Sequence, residues 1–240
     1  MKSSEQRQKE ADALDEFSEA MEEMKDQQAR EFEEKGYVNM NPEGVDALVR
    51  AAEKMESTAT GDEAEAARLS GNFMKMIQAD VQGIAEAQKT LEEAMDYSGV
   101  KKVEDLNGLG DKVRTYRKLN EELRKKIESE WLSDLRKNVA ASSLSKKSQA
   151  DFLAGAEGSM KRQKPYLLTI RETDDQFCEA LLLQQQVLRE SFGKWEFNAE
   201  TSEIVFADDE ATEGYNKQAE MIQQIAEEQA QAQRALIQSR

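Results

Sequence analysis

Residues 109–135 read LGDKVRTYRKLNEELRKKIESEWLSDL, and their apolar side chains recur at intervals of three, four and seven residues. The members of this series are Leu109, Val113, Tyr116, Leu123, Ile127, Trp131 and Leu135. Such intervals bring side chains to one face of an α-helix, because one turn of the helix contains about 3.6 residues. The stretch therefore predicts one long amphipathic helix that begins after Gly99 and ends near residues 140–143.

The sequence before this helix shows the same spacing. A first helix is predicted over about residues 4–35, and a second begins at Pro42, which follows a favourable N-cap residue in Asn41. Apolar residues keep one heptad phase through the tripeptide at residues 60–62, although it contains glycine and resembles a turn. The unbroken phase predicts that this second helix continues to Tyr97.

Two more helices are predicted after the central one. A fourth helix begins at about Ser145, a typical N-cap, and runs to Phe192 with a kink at Pro165. A last helix follows either Asp208 or Asp209, because both residues can accept hydrogen bonds from the free backbone N–H groups of a first turn.

One segment departs from the helical pattern. Residues 194–206 alternate apolar and polar side chains on either side of a polar turn, which is typical of a β-hairpin. The alternation places Trp195 and Phe197 on one side of the hairpin, where Ile204 and Phe206 pair with them. Because an isolated hairpin is only marginally stable in water, we expect this side to pack on the helical bundle or on a partner.

Composition excludes several classes of function. The 240-residue chain has no histidine, which excludes Ser-His-Asp triads and metal sites with imidazole ligands. Its net charge of −16 argues against nucleic acid as a partner, because phosphate binding requires a basic surface. The single cysteine, Cys178, lies in an apolar helical stretch and is predicted to belong to the core.

Charge is distributed unevenly along the chain. Residues 101–164 carry 16 basic and 10 acidic side chains, whereas the segments on either side are acidic. This pattern is explained either by charge pairing between neighbouring helices or by a basic face for an anionic membrane or protein. The densest candidate basic patch consists of Lys161, Arg162 and Lys164.

Other patterns with possible chemistry have simpler structural explanations. The segment at residues 143–146 matches Ser-x-x-Lys, but an N-cap explains its second serine better than a nucleophile does. The glycine-containing residues 107–111 indicate a turn or an irregular helix start rather than a phosphate loop. The acidic residues Glu172, Asp174 and Asp175 are interpreted as a solvated face, with a hard-cation site as the alternative.

The aromatic side of the hairpin is the main candidate interaction surface. Exposed aromatic side chains anchor many protein interfaces, and the alternative is that the hairpin closes the end of the bundle. The candidate residues are Trp195, Phe197, Ile204, Phe206 and Tyr215.

These same residues, with Asn216 and Lys217, resemble the C-terminal part of a family of uncharacterised Gram-negative lipoproteins. The polar, charged N-terminus around Gln6-Arg7 is similar to the mature start of such proteins after their lipidated cysteine. The resemblance implies a location in the cell envelope and a helical fold rather than an activity.

Together these patterns predict an all-α protein, an elongated antiparallel bundle of about five helices with long coiled-coil-like seams, one β-hairpin and a single domain over residues 1–240. We expect a non-enzymatic structural or protein-interaction role without cofactors, facing the periplasm in the cell envelope, with the cytoplasm as the alternative location. The partner is another protein or a second copy of the chain, and a lipid anchor outside this sequence would add membrane association. The alternative functions are a membrane-binding or membrane-remodelling dimer and a carboxylate-only metal-binding protein.

Overall fold

The fold is all-α with one small antiparallel sheet, as the sequence predicts. The computed structural model describes residues 4–36 and 42–239, so the predicted N-cap Asn41 lies outside the described residues. The elements in chain order are α1 (Ser4–Lys35), α2 (Pro42–Thr58), α3 (Asp62–Glu93), α4 (Val103–Lys125), a π-helical turn (Lys126–Glu130), α5 (Trp131–Ala140), α6 (Lys146–Glu190), β1 (Trp195–Asn198), β2 (Glu203–Phe206) and α7 (Asp209–Gln238). These elements form two compact units, one of the described residues within 4–85, 125–167 and 233–239 and the other of residues 86–124 and 168–232.

The prediction of one continuous second helix is wrong, because the chain turns back at Gly61. Helix α2 ends at Thr58, and Gly61 has a φ of 63°, a left-handed conformation that favours glycine. Helix α3 then returns antiparallel to α2, with Gln78 hydrogen-bonded to Asp46. The heptad phase persists across the turn because both helices bury an apolar face, so the periodicity reports burial and not continuity of the backbone.

The first unit packs α3 against α5 and the start of α6. Its core contains Leu69 of α3, Leu135 and Val139 of α5, and Leu144 just before α6, each 5% exposed or less. The predicted N-cap of α6 is confirmed, since the Ser145 hydroxyl accepts a hydrogen bond from the backbone N–H of Ser148.

Asp62 lies at the start of α3 and contacts the start of α6. Its carboxylate accepts hydrogen bonds from the Ser145 backbone N–H and, at 2.5 Å, from the Ser148 hydroxyl. Hydrogen bonding to Ser145 and Ser148 lowers the pKa of this carboxyl group. The polar contact joins the N-terminal ends of two helices in the first unit.

In the second unit, α6 runs antiparallel to both α4 and α7. Arg189 near the end of α6 donates a hydrogen bond to the Asn107 side chain near the start of α4. At the other end of this helix pair, Asn120 of α4 donates a hydrogen bond to the backbone carbonyl oxygen of Arg171 in α6. The predicted central helix is confirmed over α4, the π-helical turn and α5. The expected turn or irregular start at residues 107–111 is wrong, because these residues lie within α4.

The predicted hairpin is confirmed in position and register. Trp195 pairs with Phe206, and Phe197 pairs with Ile204. Of the two candidate N-caps for the last helix, Asp208 and Asp209, the structure shows Asp208. Its carboxylate accepts hydrogen bonds from the backbone N–H groups of Glu210 and Ala211 in the first turn of α7.

Candidate functional site

The predicted aromatic interaction surface is brought together, but it faces the core of its own unit. All of its residues are partly buried and pack against Tyr97, Leu106 and Leu188. They are Trp195, Phe197, Ile204, Phe206 and Tyr215.

Specific contacts hold this aromatic side in place. The Trp195 indole N–H donates a 2.8 Å hydrogen bond to the Leu188 carbonyl oxygen, and the rings of Phe206 and Tyr215 lie 5.3 Å apart. The opposite side of the hairpin carries Val205, whose exposure is 53%. This arrangement favours the interpretation of the hairpin as a cap, and a binding role for its aromatic residues stays a prediction.

The predicted basic patch is divided between exposed and engaged side chains. Lys161 and Arg162 are exposed, whereas Lys164 is half-buried. The Lys164 ammonium donates a 2.5 Å hydrogen bond to the backbone carbonyl oxygen of Glu128 in the π-helical turn. Lys161 and Arg162 therefore remain on the surface, whereas Lys164 contacts the π-helical turn within the first unit.

The interpretation of Glu172, Asp174 and Asp175 as a solvated face is wrong for Asp174. Glu172 is exposed, but Asp174 is buried and accepts hydrogen bonds from Tyr116 at 2.9 Å and Gln229 at 2.5 Å. It also forms an ion pair with Arg171, which is only 4% exposed. The central carboxylate thus joins α4, α6 and α7 through their polar side chains.

Burial raises the pKa of two groups beside this carboxylate. Desolvation and the charge of Asp174 raise the pKa of the Tyr116 hydroxyl well above its usual value. The same causes raise the pKa of the Cys178 thiol to about 12. Cys178 is fully buried, which confirms the prediction of a core cysteine. A thiol with such a raised pKa is a poor nucleophile near neutral pH.

The second unit has a groove between α4 and α6. It encloses about 250 Å³. Leucine side chains supply its apolar surface, and arginines supply most of its charge. Its lining residues are Leu106, Gly110, Arg114, Arg117, Glu179, Leu182, Leu183, Gln185, Gln186 and Arg189.

The arginines of the groove make contacts that leave them near the surface. Arg117 pairs with Asp175 at 2.6 Å, and the hydrogen bond to this carboxylate raises the guanidinium pKa. Arg114 pairs with Asp111, and both of these side chains are more than half exposed. Ion pairs at such exposed positions contribute little to stability, so a ligand can replace them at low cost.

Gly110, which has no side chain, and the buried amide group of Gln185 form the floor of the groove. A Cβ atom at Gly110 would lie 3.3 Å from both Gln185 Oε1 and Arg114 Nη1, so glycine leaves this space open. Gln185 is 2% exposed and donates from Nε2 to the Ala94 carbonyl oxygen. Its Oε1 atom has no hydrogen-bond partner among the described residues. The groove therefore offers one buried acceptor beside several cationic donors.

The sequence contained only a partial signal for this groove. The excess of basic residues between positions 101 and 164 includes Arg114 and Arg117, which are three residues apart and lie on neighbouring positions of one helix face. Arg189 lies elsewhere in the sequence, in an acidic segment. Only the antiparallel pairing of α4 and α6 brings it to the same groove.

Comparison of the chain with protein families, with curated proteins and with solved structures finds no match. Within residues 4–36 and 42–239, no helix is long and apolar enough to cross a membrane. The same described residues contain no group of three or more acidic or cysteine side chains placed to hold a metal ion.

Proposed function

We propose that this protein is a non-enzymatic interaction protein and that the α4–α6 groove binds a helical segment of a protein partner. The observation that carries this proposal is the exposure of Leu183, which is 41% accessible beside a row of arginines. Half-buried Leu182 extends the same apolar surface. A helix that is laid into a groove buries such leucines and places its polar residues at the rim.

The charge of the groove indicates the chemistry of the partner. Three arginines and one glutamate line it, and two of the arginines form exposed ion pairs with Asp111 and Asp175 that an acidic partner could replace. An acidic helix with an exposed leucine complements both the arginines and the leucines that line the groove. Such complementarity speeds association and selects against basic partners.

A binding role is also supported by the positions of the groups with strongly raised pKa values. Tyr116 and Cys178 are buried, and neither lines the groove. Catalytic groups with shifted pKa values are found where substrate reaches them. The shifts of these two groups come mainly from burial in a packed interior.

Site-specific photo-crosslinking tests the proposal. We would replace Leu183 with benzoylphenylalanine in the full-length protein and irradiate cells of the source organism. Met221 of α7, which is 40% exposed, provides the matched control position. We expect a defined protein adduct from position 183 that is lost on Arg114→Glu, and none from position 221. No adduct at position 183, or one unaffected by Arg114→Glu, would contradict the proposal.

We further propose that the protein acts in the cell envelope. The support is the sequence resemblance to Gram-negative lipoproteins in the hairpin region and at the N-terminus. Intact-mass measurement of the native protein from separated membrane and soluble fractions tests this location. A mass excess of a diacyl or triacyl lipid in the membrane fraction supports an anchored envelope protein, and an unmodified protein confined to the soluble fraction contradicts the lipoprotein resemblance.

A further inference from the structure

We infer that the α4–α6 groove selects a partner helix carrying a neutral hydrogen-bond donor, a hydroxyl or amide side chain, and that Gln185 Oε1 is the acceptor for this donor. This inference rests on the proposed function, because it names the partner group that the same groove recognises. Two observations carry it. Gln185 Oε1 is a buried acceptor without a partner among the described residues, and Gly110 leaves open the space beside it.

The orientation of the Gln185 side chain is fixed by its own unit. Its Nε2 atom donates a 3.1 Å hydrogen bond to the Ala94 carbonyl oxygen. Because a carbonyl oxygen only accepts, the amide nitrogen has to face Ala94 and the amide oxygen has to face away from it. The Tyr97 hydroxyl has a single hydrogen, which it donates to Gln184 Oε1 at 3.3 Å. Gln185 Oε1 is therefore the atom that a partner can satisfy.

Burial makes this acceptor selective. Gln185 is only 2% exposed, so its oxygen has little access to water. An amide oxygen that is buried without a hydrogen bond costs free energy, and a partner that donates to it recovers this cost on binding. A partner without a donor gains nothing at this position. The oxygen thus distinguishes between helices whose apolar residues fit the groove equally well.

The space beside Gly110 connects this oxygen with the groove. Gly110 and Gln185 both line the groove, and a Cβ atom at position 110 would lie 3.3 Å from Gln185 Oε1. The Arg114 guanidinium lies at the edge of this space, with Nη1 also 3.3 Å from the same Cβ position. Arg114 is more than half exposed, and its exposed pair with Asp111 contributes little to stability. Its side chain can therefore turn away when a partner enters.

Burial of the oxygen also determines the kind of donor. An ammonium group would have to lose much of its hydration to reach a single buried acceptor, which costs far more than the same step costs a neutral group. A hydroxyl or an amide donates to the same oxygen at a lower cost. The partner's apolar residues would then pack on Leu182 and Leu183, which lie three and two residues before Gln185 on α6.

Serine and alanine at position 110 test whether the oxygen faces this space. Both substitutions add the same Cβ atom, but only the serine hydroxyl can donate to Gln185 Oε1 from within the chain. Alanine is the stronger helix former, so an ordinary helical position gives the alanine variant the higher urea midpoint. At position 110 we expect the reverse, with the midpoint of Gly110→Ser above that of Gly110→Ala by about 0.2–0.5 M.

Gly108 provides the matched control for this comparison. It lies in the same helix, and an added Cβ there meets open space. Gly108→Ala should therefore have a higher urea midpoint than Gly108→Ser. If alanine is the more stable variant at both positions, the inference is overturned, because the oxygen would then not face the groove.

The photo-crosslink from position 183 tests the donor on the partner. In the full-length chain with benzoylphenylalanine at this position, Gln185→Met removes the acceptor and keeps a side chain of similar length. It should lower the adduct yield in cells at least about fivefold, because the partner's donor is left unpaired. Gln184→Met is the control, since Gln184 is 6% exposed and is not among the residues that line the groove. This control should leave the yield within about twofold.

The outcomes separate this inference from the proposed function. An adduct that Gln185→Met leaves unchanged, or that both glutamine variants lower equally, overturns the inference and leaves the groove as a binding site. The absence of any adduct from the original chain overturns both. Circular dichroism verifies that each variant is folded, and if Gln185→Met does not fold, the order of the Gly110 variants decides.

Discussion

The buried carboxylate of Asp174 provides a sharp test of the interior of the second unit. Asp174→Ala removes the acceptor that Tyr116 and Gln229 use and the anion that pairs with Arg171. Because Arg171 is only 4% exposed, its guanidinium would remain charged in an interior with little access to water. We therefore expect Asp174→Ala to destabilise this unit far more than the loss of a surface charge does.

The expected magnitude follows from the burial of the pair. Removal of one partner from a buried ion pair costs about 3–5 kcal/mol, because the remaining charge is uncompensated. The exposed pair of Arg114 and Asp111 provides the comparison, since such a pair contributes about 0–1 kcal/mol. With a urea dependence of about 2 kcal/mol per molar, Asp174→Ala should lower the midpoint by about 2 M.

The assay uses the two tryptophans of the chain. Trp131 belongs to the first unit and Trp195 to the second, so a Trp131→Phe background makes fluorescence report on the second unit. Urea unfolding in this background gives the free energy of unfolding for each variant. Asp111→Ala provides the control at an exposed position.

A double variant separates charge from shape. Arg171→Met combined with Asp174→Ala removes both charges, so it should be more stable than Asp174→Ala alone. A loss below about 1 kcal/mol for Asp174→Ala, equal to that of Asp111→Ala, would refute the reasoning. So would a double variant that is less stable than the single one, since an unpaired cation would then not be the cause.

Three further predictions concern the turn, the hairpin and the cysteine. Gly61→Ala should lower the free energy of unfolding of the first unit by about 1–2 kcal/mol, measured by urea unfolding, because Gly61 has a φ of 63°. The control Gly83→Ala lies within α3, where an added Cβ meets open space, and it should raise the same quantity by about 0.5–1 kcal/mol. Phe206→Ala should cost about 1–2 kcal/mol because its half-buried ring leaves the core, whereas Val205→Ala on the outer side should stay within about 0.5 kcal/mol; equal losses would contradict the register. Burial raises the pKa of Cys178 from 9.0 to about 12, so the stability that this thiol contributes is present below pH 9 and is lost as pH rises towards 12. Cys178→Ala should therefore reduce the fall in the free energy of unfolding between pH 9 and 12, and an unchanged fall would contradict this assignment.

Local patterns in the sequence determined most of the elements. The bounds of α1, the hairpin with its pairing of Trp195 and Phe206, and the N-cap at Ser145 all follow from neighbouring residues. Periodicity, capping and turn chemistry act over a few residues, so they are readable without knowledge of distant contacts. The core position of Cys178 is readable for the same reason, since its neighbours are apolar.

Tertiary structure decided what depends on contacts between distant residues. The heptad phase runs through Gly61 because both helices of the α2–α3 pair bury an apolar face, and only the backbone reversal shows that they are two. Asp174 reads as a surface acid in the sequence, but its donors lie 58 and 55 residues away on α4 and α7. The α4–α6 groove likewise requires the antiparallel pairing that brings Arg189 beside Asn107, 82 residues earlier. A sequence pattern reports which side of a helix is apolar, whereas the choice of the neighbouring helix depends on packing and charge across the whole unit.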